Sequence, residues 1–172
     1  NMRLLSRKVS LLVIAGAGVV LSTLLPAPAP SQSDFIVPTR PLPQGRGFHG
    51  SAVMGDHLYV FGGRVAGANP GSRDAEEDTT STLVAPISPG GHVGNWRPTT
   101  PLPGPRYYIA NSTLVMNDVV YIVGGSDAVL GGQAQNTAIW SRTLPNGNLT
   151  AWQQSAPFGD GLNTPAAVTT PG

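Results

Sequence analysis

The chain has no cysteine, and only 11% of its 172 residues are charged. The first absence removes disulfides, thiolate nucleophiles, iron–sulfur clusters and cysteine-based zinc sites together. It does not fix a redox compartment, because disulfide-free proteins occur on both sides of a membrane. The balance of 10 Lys and Arg against 9 Asp and Glu leaves no broad field of either sign. Nothing is therefore offered to a phosphate backbone, and nucleic acid is not an expected partner. Glycine and proline are plentiful, 22 and 17 respectively. That composition suits short strands joined by closely spaced turns, and disfavours exposed amphipathic helices.

The amino-terminal residues behave differently from the rest. Residues 1–8 form a basic flank containing Arg3, Arg7 and Lys8, and Val9 to Leu25 carry no charge. A cationic start before an apolar run is the pattern of a signal peptide or membrane anchor. Seventeen residues at a helical rise would cover roughly 25 Å, near the lower limit for a hydrocarbon core. The small-residue site Ala27-Pro28-Ala29 is followed by Pro30, which disfavours cleavage and favours a retained single-pass transmembrane helix. Positive residues ahead of the run place the amino terminus in the cytoplasm and everything after Leu25 outside, periplasmic or at the cell surface; secretion after cleavage is the other reading. Residues 26–40 read as a Pro-rich linker, an extended spacer in which Pro26, Pro28, Pro30 and Pro38 disfavour helix.

Past the linker the chain repeats itself. GDHLYVFGG (Gly55 to Gly63) answers NDVVYIVGG (Asn117 to Gly125), which aligns Tyr59, Gly62 and Gly63 with Tyr121, Gly124 and Gly125. Upstream, Pro41-Leu42-Pro43 with Arg46 answers Pro101-Leu102-Pro103 with Arg106, and downstream SPGGHVGNW, ending at Trp96, answers LPNGNLTAW, ending at Trp152. The glycine motifs are offset by 62 residues and the tryptophan motifs by 56; the difference lies in the segment after the first glycine pair, which reads as a loop. Ser51 to Met54 and His57 to Phe61, with Leu114 to Met116 and Val119 to Val123, read as short buried strands joined by turns at Gly55-Asp56 and Asn117-Asp118. Thr80 to Ile87 and Thr137 to Thr143 read as third strands, and fourth strands are expected to end at Trp96 and Trp152. The paired glycines allow positive φ and close backbone approach. Four strands per repeated unit predict an all-β propeller of radial blades, with the tryptophan rings packed between neighbouring sheets.

With its glycine pair after an apolar strand, upstream arginine and later tryptophan, the stretch Pro41 to Trp152 resembles the kelch-repeat β-propeller family. The resemblance implies structural roles for Gly62, Gly63, Gly124, Gly125, Tyr59, Tyr121, Trp96, Trp152, Arg46 and Arg106, and implies no catalytic residue. It divides the chain into one blade at 41–100, a second at 101–152 and the start of a third repeat at 153–172, where Ala166-Ala167-Val168 matches Ser51-Ala52-Val53. Two blades and a fraction leave apolar faces bare, so the expectation is a portion of a longer protein, or a ring completed by several copies or partner chains.

Other chemistry finds little support. His49, His57 and His92 lie on separate elements without metal-ligand spacing, and no metal or other cofactor is expected. The acidic run Asp74, Glu76, Glu77 and Asp78 lacks the ligand alternation of a calcium loop and reads as a solvated face. Asn111-Ser112-Thr113 and Asn148-Leu149-Thr150 fit glycosylation sequons. Neither glycine pair is followed by the lysine of a phosphate loop. Some secreted kelch propellers are copper radical oxidases, which need a cysteine joined to a tyrosine; these residues exclude that. The expectation is a non-catalytic binding or scaffold protein with a protein partner. The alternatives are a single-pass subunit of a larger membrane complex, respiratory or photosynthetic, and a fragment of a secreted propeller enzyme with catalytic residues beyond Gly172.

Overall fold

The computed structural model describes residues 39–66, 76–127 and 132–168. The expected membrane helix at Val9 to Leu25 and most of the linker lie outside the described residues. Among those described, no helix is long and apolar enough to cross a membrane, and every named element is a strand.

In chain order the strands are β1 (Arg46–Gly47), β2 (Gly50–Met54), β3 (His57–Phe61), β4 (Arg64–Ala66), β5 (Glu76–Asp78), β6 (Thr82–Pro86) and β7 (Arg97–Pro98) in the first repeat. The second holds β8 (Thr113–Met116), β9 (Val119–Val123), β10 (Ser126–Asp127), β11 (Gln133–Ala134), β12 (Ala138–Arg142) and β13 (Gln153–Gln154). Two four-stranded sheets dominate, ordered β2-β3-β6-β7 and β8-β9-β12-β13, each an antiparallel meander of one repeat. The turns come from local chemistry. Asn117 and Asp118 both take positive φ, 51° and 60°, as the tightest hairpin type requires, while at the matching turn Gly55 alone does so.

Alternation along the strands decides which face meets which. In the first sheet Ala52, Met54, Tyr59, Phe61 and Val84 share one face. In the second, Val115, Val120, Ile122 and Ile139 share the face opposed to it, and together with Leu102 and Leu149 they close one core. Each large apolar side chain buried there stabilises the fold by roughly 1.5–3 kcal/mol. One sheet therefore lies on the next in sequence, as blades of a propeller do.

Three expectations need correction. The fourth strands begin immediately after Trp96 and Trp152 instead of ending at them, because the two-residue pairings are made by Arg97–Pro98 and Gln153–Gln154. The segment after the first glycine pair is not all loop: β4 pairs with β5, and β1 joins β4, in a small extra sheet anchored by the Arg64–Asp78 ion pair. The second repeat has a shorter equivalent, β10 paired with β11. The third strands are also shorter at both ends than read, spanning 82–86 and 138–142.

Candidate functional site

The positions that recur in sequence build two copies of one device. Arg46 reaches from the start of the first repeat to its own glycine pair, donating from Nη1 to Gly62 O (3.1 Å) and Ser81 O (3.3 Å), and from Nη2 to Ser81 Oγ. Arg106 repeats this in the second blade, from Nη1 to Gly124 O (2.8 Å) and Thr137 O (3.1 Å), and from Nη2 to Thr137 Oγ1 (2.8 Å). Each guanidinium thus ties the end of the second strand to the chain entering the third. Burial disfavours the charge, lowering Arg46 and pushing Arg106 down to about 10, the latter against the attraction of Asp127.

The glycines make room for this. Gly62 and Gly63 have φ of 52° and 88°, Gly124 and Gly125 of 62° and 95°. A β-carbon on Gly62 would lie 2.5 Å from Arg106 O, and one on Gly124 2.5 Å from Leu162 O. Gly63 N donates to Arg106 O and Gly125 N to Leu162 O. Leu162 therefore stands where the next arginine of the series would stand, and cannot form the arginine seat.

Tyrosine and tryptophan join the blades. The Tyr59 hydroxyl lies 2.7 Å from Thr143 Oγ1 and donates to Gly147 O at 2.9 Å, both in the second repeat; burial raises its pKa. The Trp152 ring meets Phe61 edge to face (6.0 Å, 85°), and its indole N–H donates to Thr100 O. Trp96 makes the matching bond to Arg40 O. Tyr121, counterpart of Tyr59, is only half-buried and stacks with Trp140 (6.5 Å). The two arginines and four glycines thus lie at strand ends, Tyr59 and Trp152 bridge the blades, and Tyr121 lies half-buried on the face of the second sheet turned away from the first.

Sequence reading missed a different group. Two residues after each arginine of the series stands an aromatic in left-handed backbone, Phe48 (φ 55°) and Tyr108 (φ 57°). Bulky side chains rarely adopt that region. The two rings meet at 4.7 Å, Tyr108 lies against Tyr107, and the Arg64 guanidinium sits 4.2 Å over the Tyr107 ring while its Nε holds Asp78 at 2.9 Å. Phe48 is 49% exposed. The recurring pattern Arg-x-aromatic at 46–48 and 106–108 was the available signal. This glycine-pair end carries the aromatic pair and two hairpins of unequal length.

The remaining candidates separate. His57 Nδ1 sits 2.6 Å from Asp56, and His49 is disfavoured as a cation by burial and by Arg46. Among the described residues no three His, Asp or Glu side chains converge as metal ligands. Of the acidic run, Asp78 is buried in the Arg64 pair, and Asp74 lies outside the described residues. Of the two sequons, Asn111 is exposed, whereas Asn148 accepts a hydrogen bond from Arg97.

No family model and no curated protein sequence matches the chain. Among solved structures, that of YjhT, a kelch-type β-propeller protein, resembles it with a TM-score of 0.50 at 17% identity, over 74% of this chain and 41% of that one. The chain thus spans about two fifths of the structure it matches. The class that fold and comparison define is an all-β, propeller-like protein. At that identity the likeness speaks for the fold alone.

Proposed function

We propose that the chain is a non-catalytic binding or scaffold module of kelch type, displayed outside the cytoplasmic membrane by its amino-terminal apolar segment and Pro-rich linker. The reading rests on one observation: many of the residues repeated between the blades bond strand to strand or blade to blade, while at the glycine-pair end the blades bring a second recurrent pair, two aromatic rings, together. There Phe48 and Tyr108 are held in a backbone region that costs on the order of 1–2 kcal/mol per residue. Such strain accumulates where side chains must be presented to a ligand. An aromatic pair with one ring half exposed and the other half-buried, next to the Tyr107 ring that Arg64 covers, suits the hot spot of a protein partner.

Photo-crosslinking tests this. A benzophenone side chain at Phe48 in the full membrane-extracted chain is expected to capture one discrete protein, and the same group at Glu77 on the neighbouring hairpin a smaller yield of it. Capture of nothing from Phe48, alongside capture from Met116 on the far sheet face, would move the binding surface elsewhere.

A further inference from the structure

Opposite the glycine pairs, at the ends where β3 and β9 begin, the two blades border an open cleft of about 290 Å³. The first blade supplies Asp56 and His57 to one wall, and the second supplies Asp118, Arg142, Leu144 and Pro145 to the other. Both walls belong to four-stranded sheets that already share one core. Hydrogen bonds fix them in place. Ile87 N donates to Asp56 O (2.6 Å) and Thr143 N to Asp118 O (3.0 Å), which ties each hairpin turn to the end of its third strand. From one blade to the other, the Tyr59 hydroxyl holds Thr143 and Gly147. His57 packs so closely on Gly147 that a β-carbon there would lie 2.5 Å from its Nε2, and its Nδ1 is held by Asp56. The cleft is therefore shaped before any ligand arrives, which lowers the cost of binding.

Repetition separates what a blade needs from what it does not. Asp118 answers Asp56 and Pro145 answers Pro89, but His57 is matched by Val119, Arg142 by Pro86 and Leu144 by Ser88. A blade of this kind thus forms without the imidazole, the guanidinium or the exposed leucine that gather in the cleft. Arg142 and Asp118 carry opposite charges there without pairing. Arg142 Nη1 donates to Asn117 O at 3.3 Å, and among the described residues the Asp118 carboxylate has no hydrogen-bond or ion-pair partner. Leu144, 40% exposed, adds an apolar side chain to the same wall.

We infer that this cleft binds a small zwitterion, a free α-amino acid with an apolar side chain. Asp118 accepts hydrogen bonds from its ammonium, Arg142 donates to its carboxylate from the nitrogens not engaged with Asn117, and Leu144 with Pro145 covers its side chain. Charge-assisted hydrogen bonds of this kind are about twice as strong as neutral ones. A few placed polar groups beside apolar surface are what orient a small ligand, and the volume stands at the lower end of such sites, roughly 300–1,000 Å³. Only a free amino acid carries both charges on one carbon; the interior or either terminus of a peptide satisfies one wall group and leaves the other unmet. The cleft lies a strand's length from Phe48 and Tyr108, so this inference goes beyond the partner surface proposed there and stands or falls without it.

Leucine is the probe, titrated by ligand-observed NMR against the full chain purified in detergent. Saturable binding with a Kd of about 1 mM or tighter is expected. N-acetylleucine, which lacks the ammonium, and leucinamide, which lacks the carboxylate, are each expected to bind about tenfold more weakly or worse. Asp118→Asn removes the charge and keeps a residue that tolerates left-handed backbone; in it, leucine is expected to lose its advantage over N-acetylleucine. In Arg142→Met, leucine is expected to lose its advantage over leucinamide. Circular dichroism on each variant checks that the sheets persist, and a variant that loses them is replaced by Asp118→Gly or Arg142→Gln. Absence of saturable leucine binding to wild type, equal binding of leucine and either derivative, or an advantage that survives the matching variant would overturn the inference.

Discussion

The two repeats carry the same residues in different surroundings. Tyr59 is sealed between sheets and Tyr121 is half-open; Arg106 and Leu102 are each 3% exposed, while Arg46 and Leu42 are only half-buried. The sequence motif therefore fixes local geometry, namely the arginine seat and the glycine turn, but burial is conferred by the neighbouring sheet. A propeller blade is in this sense a structural unit but not a stable one, as expected of arrays in which each repeat buries the face of the next.

Paired substitutions can break that comparison. The largest difference is expected for Tyr59→Ala against Tyr121→Ala. Truncating the buried ring opens a cavity between the sheets and costs about 3–5 kcal/mol, whereas the half-open ring costs about 1 kcal/mol, both read from urea unfolding midpoints. Equal losses would mean that the second sheet's far face is covered as well as the first's.

Arg106→Leu against Arg46→Leu comes next. Loss of Arg106 strands two buried carbonyls and a hydroxyl and costs about 3 kcal/mol; loss of Arg46, where water reaches the seat, costs about 1 kcal/mol. Tyr59→Phe removes only a hydroxyl, leaving Gly147 O without its donor, and costs about 1 kcal/mol, against a change within about 0.5 kcal/mol for Tyr121→Phe.

The smallest expected effect is a pH dependence. Burial first, and then the charge of Arg46, hold the His49 pKa below its ordinary value, against a backbone hydrogen bond to Arg46 that raises it. As pH falls through about 6.5 the unfolded chain takes up a proton that the folded chain resists, so stability declines with acidification until the folded pKa is passed. Thermal melts between neutral and mildly acidic pH are expected to show this decline, and His49→Asn to flatten it. An unchanged slope in the variant would assign the effect to another group.

Much of the framework was legible because it rests on strong local signals. Asn117-Asp118 and Gly55-Asp56 announce hairpins, and the glycine pairs must be glycine because carbonyls lie where a β-carbon would be. The short edge strands after Trp96 and Trp152 were misplaced, since a two-residue pairing carries no alternation to read. The β4–β5 hairpin was hidden because its strands are only three residues long and its sequence is polar and glycine-rich. Phe48 and Tyr108 escaped notice because nothing in an aromatic side chain signals a left-handed backbone. The roles of Arg97 and Leu149 become visible only when two sheets are in contact.

The central claim, that the two repeats lie sheet upon sheet, is tested most directly by a double-mutant cycle across their interface, with Phe61→Leu, Trp152→Leu and the combination compared by urea unfolding. Rings in contact are expected to show a coupling of about 0.5–1.5 kcal/mol. Losses that add to within about 0.3 kcal/mol, as for distant and independent sites, would contradict it.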